Sequence, residues 1–368
     1  MDEKIISLCV IQWESSFAWV KFVRIIALNL LKIKGENPVK TLLSPLMQTF
    51  SVLLVFMVSS LPAGASPQAK PLPLSVVVTI PPLAGMIAPL LEPEDRIEVL
   101  LKEGESPHGF ALRPSHLKTL KNADALLMVG SPVDAWVHKS VERMQNKTIN
   151  MAKLANLQKL PIRKGGLWEK KLPKKEGHEH DGHKHSAMSY DGHLWMSIHN
   201  AKQMIGAFSE KLMELRPDQA QSIQHNTQNW LAKIAQTENL VNQQLKPNRH
   251  TPFMVLHDAF QYFEQHFELN GVGSIRLNPE LQPSVKRLLT LRKKLKSENV
   301  QCIFKEPQFP DKQILKLAEN TSVTVGELDP MGYVYAQKSQ AGFVNFDVFI
   351  SSLGESFLQC FQGKASGR

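Results

Sequence analysis

Three histidines and one aspartate stand where they could hold a divalent cation. His108 lies in the Gly- and Pro-containing stretch EGESPHGF, His193 in HLW, His257 directly after the apolar run FMVL, and Asp329 in ELDPMG. Neutral imidazole suits Zn²⁺, and a carboxylate can complete a tetrahedral shell. Singly, each signal is weak. A lone histidine beside a strand is more often a hydrogen-bonded core or surface residue, and Asp-Pro-Met-Gly reads as a turn. Together they are stronger, because two come from each half of the chain and fall at the ends of expected strands. A second, denser group sits in EGHEHDGHKH, where His178, His180, His183 and His185 alternate with Glu179 and Asp181. Short His-rich tracts bind metal by composition. A loop that must be ordered on binding should do so more weakly than a preorganised site. The other reading of this tract is a solubilising insertion. His116, His138, His225, His250 and His266 lie on or beside helical patterns without a ligand-spaced partner and read as surface or capping residues. His199 reads as an outsider near His193.

The elements that must position these residues alternate. Leu74–Ile80 is a β-branched apolar run ending at Pro81-Pro82 and reads as a buried strand. Arg96–Leu101, Ala125–Val129 and Thr148–Met151 read as further strands, with helices at Pro82–Leu91, Pro114–Lys121 and Pro132–Gln145. Such alternation indicates a parallel sheet with crossover helices. Lys164–Tyr190 breaks the pattern with Lys, His, Gly and Glu and reads as a solvated loop. Two long helical patterns follow, Ile198–Leu215 and Pro217–Leu245. The second runs about 43 Å at 1.5 Å per residue, long enough for a strut along two lobes. It contains no internal Gly or Pro and so no local cause for a kink. A second α/β set completes the chain. It comprises strands Phe253–Leu256, Cys302–Phe304 and Ser322–Val325, a turn at Gly271–Gly273, and helices Asp258–Phe267, Pro283–Ser297, Asp311–Leu317 and Phe346–Cys360. The expected fold is α/β: two Rossmann-like lobes joined by a long rigid helix, with the metal site in the cleft between them. The expected boundaries are 1–65 for an N-terminal extension, 66–215 for the first lobe with a His-rich loop at 164–190, 216–247 for the linking helix, and 248–368 for the second lobe.

Length and composition agree. The chain has 368 residues, 43% hydrophobic and 21% charged, enough for two compact domains. Its net charge is +9, but no basic face interleaved with aromatics points to nucleic acid. Thr49–Val58 is an apolar run too short to span a bilayer and right for the core of a signal peptide. Ala63-Gly64-Ala65 follows as a cleavage site. Either Met1 or Met47 could serve as the start. The other reading of the apolar run is an uncleaved membrane anchor, and on either reading the body lies outside the cytoplasm. Cys9 lies in the extension. Cys302 and Cys360 remain, an even pair compatible either with one disulfide in an oxidising compartment or with two buried thiols.

From about Ser75 to Gly363 the chain resembles the zinc-binding solute-binding proteins of bacterial ABC importers. That cluster also holds manganese binders and adhesin lipoproteins. The resemblance rests on SPHGFALRPSHLKTLKNADALLMVG, HLWMSIHNA, FMVLHDAFQYFEQHFEL, FKEPQF and GELDPMG, in that order. It implies two α/β lobes on a rigid helix, Zn²⁺ as the transported ligand, and a permease in the cytoplasmic membrane as partner. It implies His108, His193 and His257 as ligands, with the fourth position open between Asp329 and water. Some zinc members carry a glutamate just before the first ligand histidine; here that residue is Pro107, and the nearest carboxylate is Glu105. Manganese members usually place a glutamate where this chain has His257, which favours Zn²⁺. The His-rich loop and a Cys302–Cys360 disulfide also fit the zinc branch. The expected protein is a periplasmic monomer, cleaved after Ala65. The alternatives are a manganese-binding or adhesin-type member, or a secreted zinc hydrolase with Glu306 or Glu327 as base. No HExxH motif supports an enzyme.

Overall fold

The computed structural model describes residues 72–164, 167–168, 190–276, 279–337 and 339–364. The expected signal segment, Cys9 and the four loop histidines His178, His180, His183 and His185 lie outside them.

Strands β1 (Ser75–Val78), β2 (Arg96–Val99), β3 (Ala125–Met128) and β4 (Thr148–Asn150) form one parallel sheet in the order β2-β1-β3-β4. Strands β5 (Phe253–Val255), β6 (Gly271–Ser274), β7 (Cys302–Lys305) and β8 (Thr324–Glu327) form a second parallel sheet in the order β6-β5-β7-β8. The central strands carry buried Val76, Val77 and Val78 in one sheet and Phe253, Met254 and Val255 in the other. Continuous apolar strands are what parallel sheets covered on both faces require. Each sheet repeats the same order, with its first strand between its second and third. The chain thus reverses direction beside β1 and again beside β5, and crevices open at the carboxyl ends there. This is the expected pair of α/β lobes.

The helices are α1 (Pro81–Ile87), α2 (Pro114–Asn122), α3 (His138–Val141), α4 (Ile198–Leu215), α5 (Ala220–Leu245), α6 (Gln261–His266), α7 (Val285–Ser297), α8 (Lys312–Ala318) and α9 (Phe346–Phe361). On α5 the buried residues Ile223, Thr227, Trp230, Ile234, Val241 and Leu245 recur at helical spacing and make one apolar stripe. Trp230 Nε1 donates to the carbonyl of Met86 in the first lobe at 2.8 Å, while the lower half of α5 packs along α9. The strut therefore touches both lobes. It begins at Ala220, because Pro217–Gln219 forms a separate 3₁₀ turn.

Two expectations change. The helix expected over Pro132–Gln145 is reduced to a 3₁₀ turn, Ala135–Val137, and the four residues of α3. The carboxylate of Asp134 is taken up by the Thr79 hydroxyl and by the amides of Val129 and Gly130, which ties the start of this segment to the sheet. The expected turn at Gly271–Gly273 is the edge strand β6. Its glycines carry no apolar signal, yet Gly273 is needed: an added Cβ would lie 2.5 Å from Leu167 Cβ. Leu167 belongs to the segment leaving the first lobe, but it packs into the second lobe's core with Met254, Leu256, Ile275 and Leu291. That segment is thus a second crossing between the lobes. The Cys302–Cys360 disulfide is formed, with the Cα atoms 6.0 Å apart, and it ties the start of β7 to the end of α9. Among the described residues no helix is long and apolar enough to cross a membrane.

Candidate metal centre

His257 stands two residues beyond β5, and Glu306 directly follows the neighbouring strand β7. The β5–β7 pairing brings the two together. Glu306 Oε1 accepts from His257 Nδ1 at 2.6 Å and from its backbone amide at 3.3 Å. His193 opens the 3₁₀ turn Leu194–Met196, whose three side chains are buried. Asp191 Oδ1 accepts from His193 Nδ1 at 2.6 Å and from its amide at 3.0 Å. The residue between them must be small, since a Cβ on Gly192 would lie 2.8 Å from Pro132 Cδ. His108 lies in the loop after β2, where its amide donates to Ser106 Oγ at 3.3 Å. His193 and His257 are buried, whereas His108 is exposed.

The three rings meet. Their centroids lie 5.6 Å apart for His108 and His193, 5.5 Å for His108 and His257, and 5.3 Å for His193 and His257. One nitrogen from each lies within 4.8 Å of the others. Tetrahedral bonds of about 2.1 Å to Zn²⁺ ask for nitrogens about 3.4 Å apart, so small ring rotations suffice. In His193 and His257 the carboxylate claims Nδ1, which leaves Nε2 as the donor. His193 Nε2 is buried and has no hydrogen-bond partner, a costly state for a polar atom unless a ligand takes it up. The space among the rings is about 10 Å³, walled by Pro107, Trp195, Phe309, Pro330 and Met331. It admits one water-sized particle and no organic solute.

The electrostatics separate the three. Burial, then the charge of His193, pushes His257 down to about 3. Burial raises its partner Glu306. A metal taken up by Nε2 places the ring proton on Nδ1, where Glu306 can accept it. His108 is exposed as a residue, but its ring turns inward against the other two imidazoles, and there the loss of water, then the charges of His257 and His193, lower its pKa. Burial also works to lower His193, but the charge and hydrogen bond of Asp191 more than offset it, and its pKa stands above the ordinary imidazole value.

Of the four residues expected at the site, the structure brings together His108, His193 and His257. Asp329 is not among them. Its Oδ1 accepts from Gln308 Nε2 at 2.6 Å and from the Met331 amide at 2.9 Å, and its Oδ2 from the Val334 amide at 2.9 Å. Those bonds shape the turn that presents Pro330 and Met331 to the cavity. His199 is engaged elsewhere, with Nε2 on the Asn156 carbonyl at 2.7 Å, and His116 Nδ1 accepts from the Arg113 amide at the start of α2. The carboxylates behind the imidazoles, Asp191 and Glu306, were not singled out as partners from sequence. The signals available were Asp-Gly-His, with the acid two residues before its histidine, and the glutamate of FKEPQF at a strand end.

Two parallel-sheet lobes thus share a strut that touches both, with a histidine-lined cavity at the carboxyl ends of their strands. Residues 76–346 match the family described as zinc-uptake complex component A, periplasmic. The chain is 33% identical over 295 residues to the high-affinity zinc uptake system protein ZnuA of Yersinia pestis, covering 78% of this chain and 91% of that protein. It is 28% identical over 298 residues to the protein of the same name from Haemophilus ducreyi, covering 77% and 92%. A crystal structure of ZnuA superposes with a TM-score of 0.64 at 21% identity, covering 78% of this chain and 99% of that one. The periplasmic zinc-binding protein TroA from Treponema pallidum gives 0.64 at 17%, with the same coverage. These superpositions show a shared fold. The chain belongs to the family of periplasmic component A of zinc-uptake complexes, whose members are binding proteins and not enzymes.

Proposed function

We propose that this chain captures one Zn²⁺ in the interlobe cleft, outside the cytoplasmic membrane, and hands it to the permease of an ABC importer. The ligands are His108, His193 and His257, each through one ring nitrogen, with water in the fourth position. Asp329, the other candidate for that position, hydrogen-bonds the turn that carries Pro330 and Met331, which supports water as the fourth ligand. The observation that carries the reading is the buried, partnerless Nε2 of His193, which faces the other two imidazoles across a cavity the size of an ion. Three imidazoles favour Zn²⁺ over Mn²⁺, which prefers oxygen donors.

On this reading the mature protein begins after Ala65 and works as a monomer. Its first lobe spans 66–215, its linking helix 216–247 and its second lobe 248–368. His178, His180, His183 and His185 add weaker binding of Zn²⁺ in the 164–190 loop. The test is a titration of the mature protein with Zn²⁺ against a chromophoric chelator. One tight equivalent is expected, weakened by more than about 100-fold in His193→Ala, and a weaker phase lost on deletion of residues 177–186. A mature protein without a tight phase, or one whose tight phase leaves with the loop, would end the reading.

A further inference from the structure

We infer that Tyr262 is a positioning residue for His193, acting from the opposite lobe through Asp191; this rests on the zinc-capture reading above. Tyr262 sits on α6, five residues beyond His257, and is wholly buried. Its hydroxyl donates to the Asp191 carbonyl at 2.7 Å and accepts from the Leu160 amide at 3.1 Å. The Asp191 amide donates in turn to the Leu160 carbonyl at 2.8 Å. One hydroxyl therefore clasps two passages of the chain, the one leaving the first lobe and the one returning to it. Asp191 then holds both the ring and the amide of His193. The two buried imidazoles are thus linked from His257 along the chain to Tyr262 on α6, and from there by hydrogen bonds through Asp191 to His193.

The core around α6 argues that the hydroxyl has this purpose. Phe260, Phe263 and Phe267 are all fully buried beside Tyr262, so the site fills its aromatic positions with phenylalanine elsewhere. A buried hydroxyl costs free energy unless both its roles are used, and here donor and acceptor each have a partner. A second tie holds the same passage. Arg163 bonds Asp258 and Glu264 of the second lobe, and its guanidinium lies 3.5 Å from the centre of the Trp168 ring. The 5.3 Å separation of the His193 and His257 rings is thus set by a clasp reaching from one lobe to the other, in addition to apolar packing.

Tyr262→Phe keeps the ring and removes only the clasp. The measurements are Zn²⁺ affinity by chelator competition and the visible spectrum with Co²⁺, each in the wild-type and in the His193→Ala background. Zn²⁺ affinity should drop about 10- to 100-fold, the range for partners of metal ligands, and the Co²⁺ bands should shift. In the His193→Ala background the same change should alter affinity by less than about twofold, because the residue it positions is gone. Equal losses in both backgrounds would reveal a general structural role and overturn the inference. So would wild-type affinity and an unshifted spectrum in Tyr262→Phe. A wild-type protein with no tight Zn²⁺ would overturn the parent reading too, which keeps the two failures distinct.

Discussion

The two lobes share one strand order, yet they hold their share of the candidate metal centre differently. The second lobe offers His257 from the end of a central strand, buried and hydrogen-bonded to Glu306 on the adjacent strand. The first lobe offers His193 from a buried turn backed by Asp191, but His108 from an exposed loop, with no carboxylate hydrogen-bonded to its ring among the described residues. That loop turns at Gly104, whose φ of 80° lies in the left-handed region that glycine reaches without strain. A strand end and a backed turn make two prebuilt donors, and the loop brings the third. Each lobe therefore supplies one histidine backed by a carboxylate, and the first lobe adds a third from a loop.

The comparison breaks most directly at the donors. Replacing His193 or His257 with alanine should lower Zn²⁺ affinity by more than the roughly 100-fold typical of the outer-shell range, since a lost nitrogen cannot be replaced by a distant acid. His108→Ala should cost less than either, because two preorganised nitrogens remain. Chelator competition with the three single variants checks the order. Equal losses would remove the distinction between the backed histidines and the loop one. Next come the backing acids: Asp191→Ala and Glu306→Ala should each lower affinity about 10- to 100-fold while leaving three imidazoles in place.

The pH dependence sharpens the contrast further. His257 and His108 have lowered values and stay neutral across the ordinary range, whereas His193 is raised. Below the raised value of His193, Zn²⁺ must displace one proton, so affinity should fall about tenfold per pH unit as pH drops toward 5, and no faster. A slope approaching three protons would contradict the assignment. Asp191→Asn should lower the His193 value and flatten the curve.

The smallest effect on zinc is expected far from the cleft. Asp95 is buried against Arg216 and accepts from the amides of Leu74 and Glu92. Burial raises its pKa, but those bonds more than offset it and hold the value below the ordinary one. The stabilisation is therefore full above an unfolded value of about 3.9 and is lost as pH falls through the lower folded value. Thermal unfolding of the metal-free protein should show that loss below pH 4, and Asp95→Asn should remove it. Arg216→Ala should cost about 3–5 kcal/mol by stranding a buried carboxylate and leave Zn²⁺ affinity unchanged.

These differences mark what a sequence discloses. The strands around the centre were legible because valine, isoleucine and leucine run without interruption where both faces are covered, and the strut because its apolar residues recur every three or four. The meeting of the three histidines could be expected because each follows or opens such an element. Edge strand β6 was not legible, since a strand of Gly-Val-Gly-Ser pairs through its backbone and lets Leu167 pack where side chains would stand. Nor were Asp191 and Glu306 as partners. Glu306 lies 49 positions from the histidine it holds, a neighbour only through β5–β7 pairing. The bonds of Asp329 to Gln308 and to the amides of its own turn were not legible either, because a strand-end carboxylate looks the same in sequence whatever it meets.

The most direct test of three-histidine capture is zinc X-ray absorption on the 1:1 complex of the mature protein lacking residues 177–186, which removes the loop histidines from the signal. Three imidazole nitrogens at about 2.0–2.1 Å with one further light atom are expected. A shell with fewer than three imidazoles, or one dominated by carboxylate oxygen, would contradict the account.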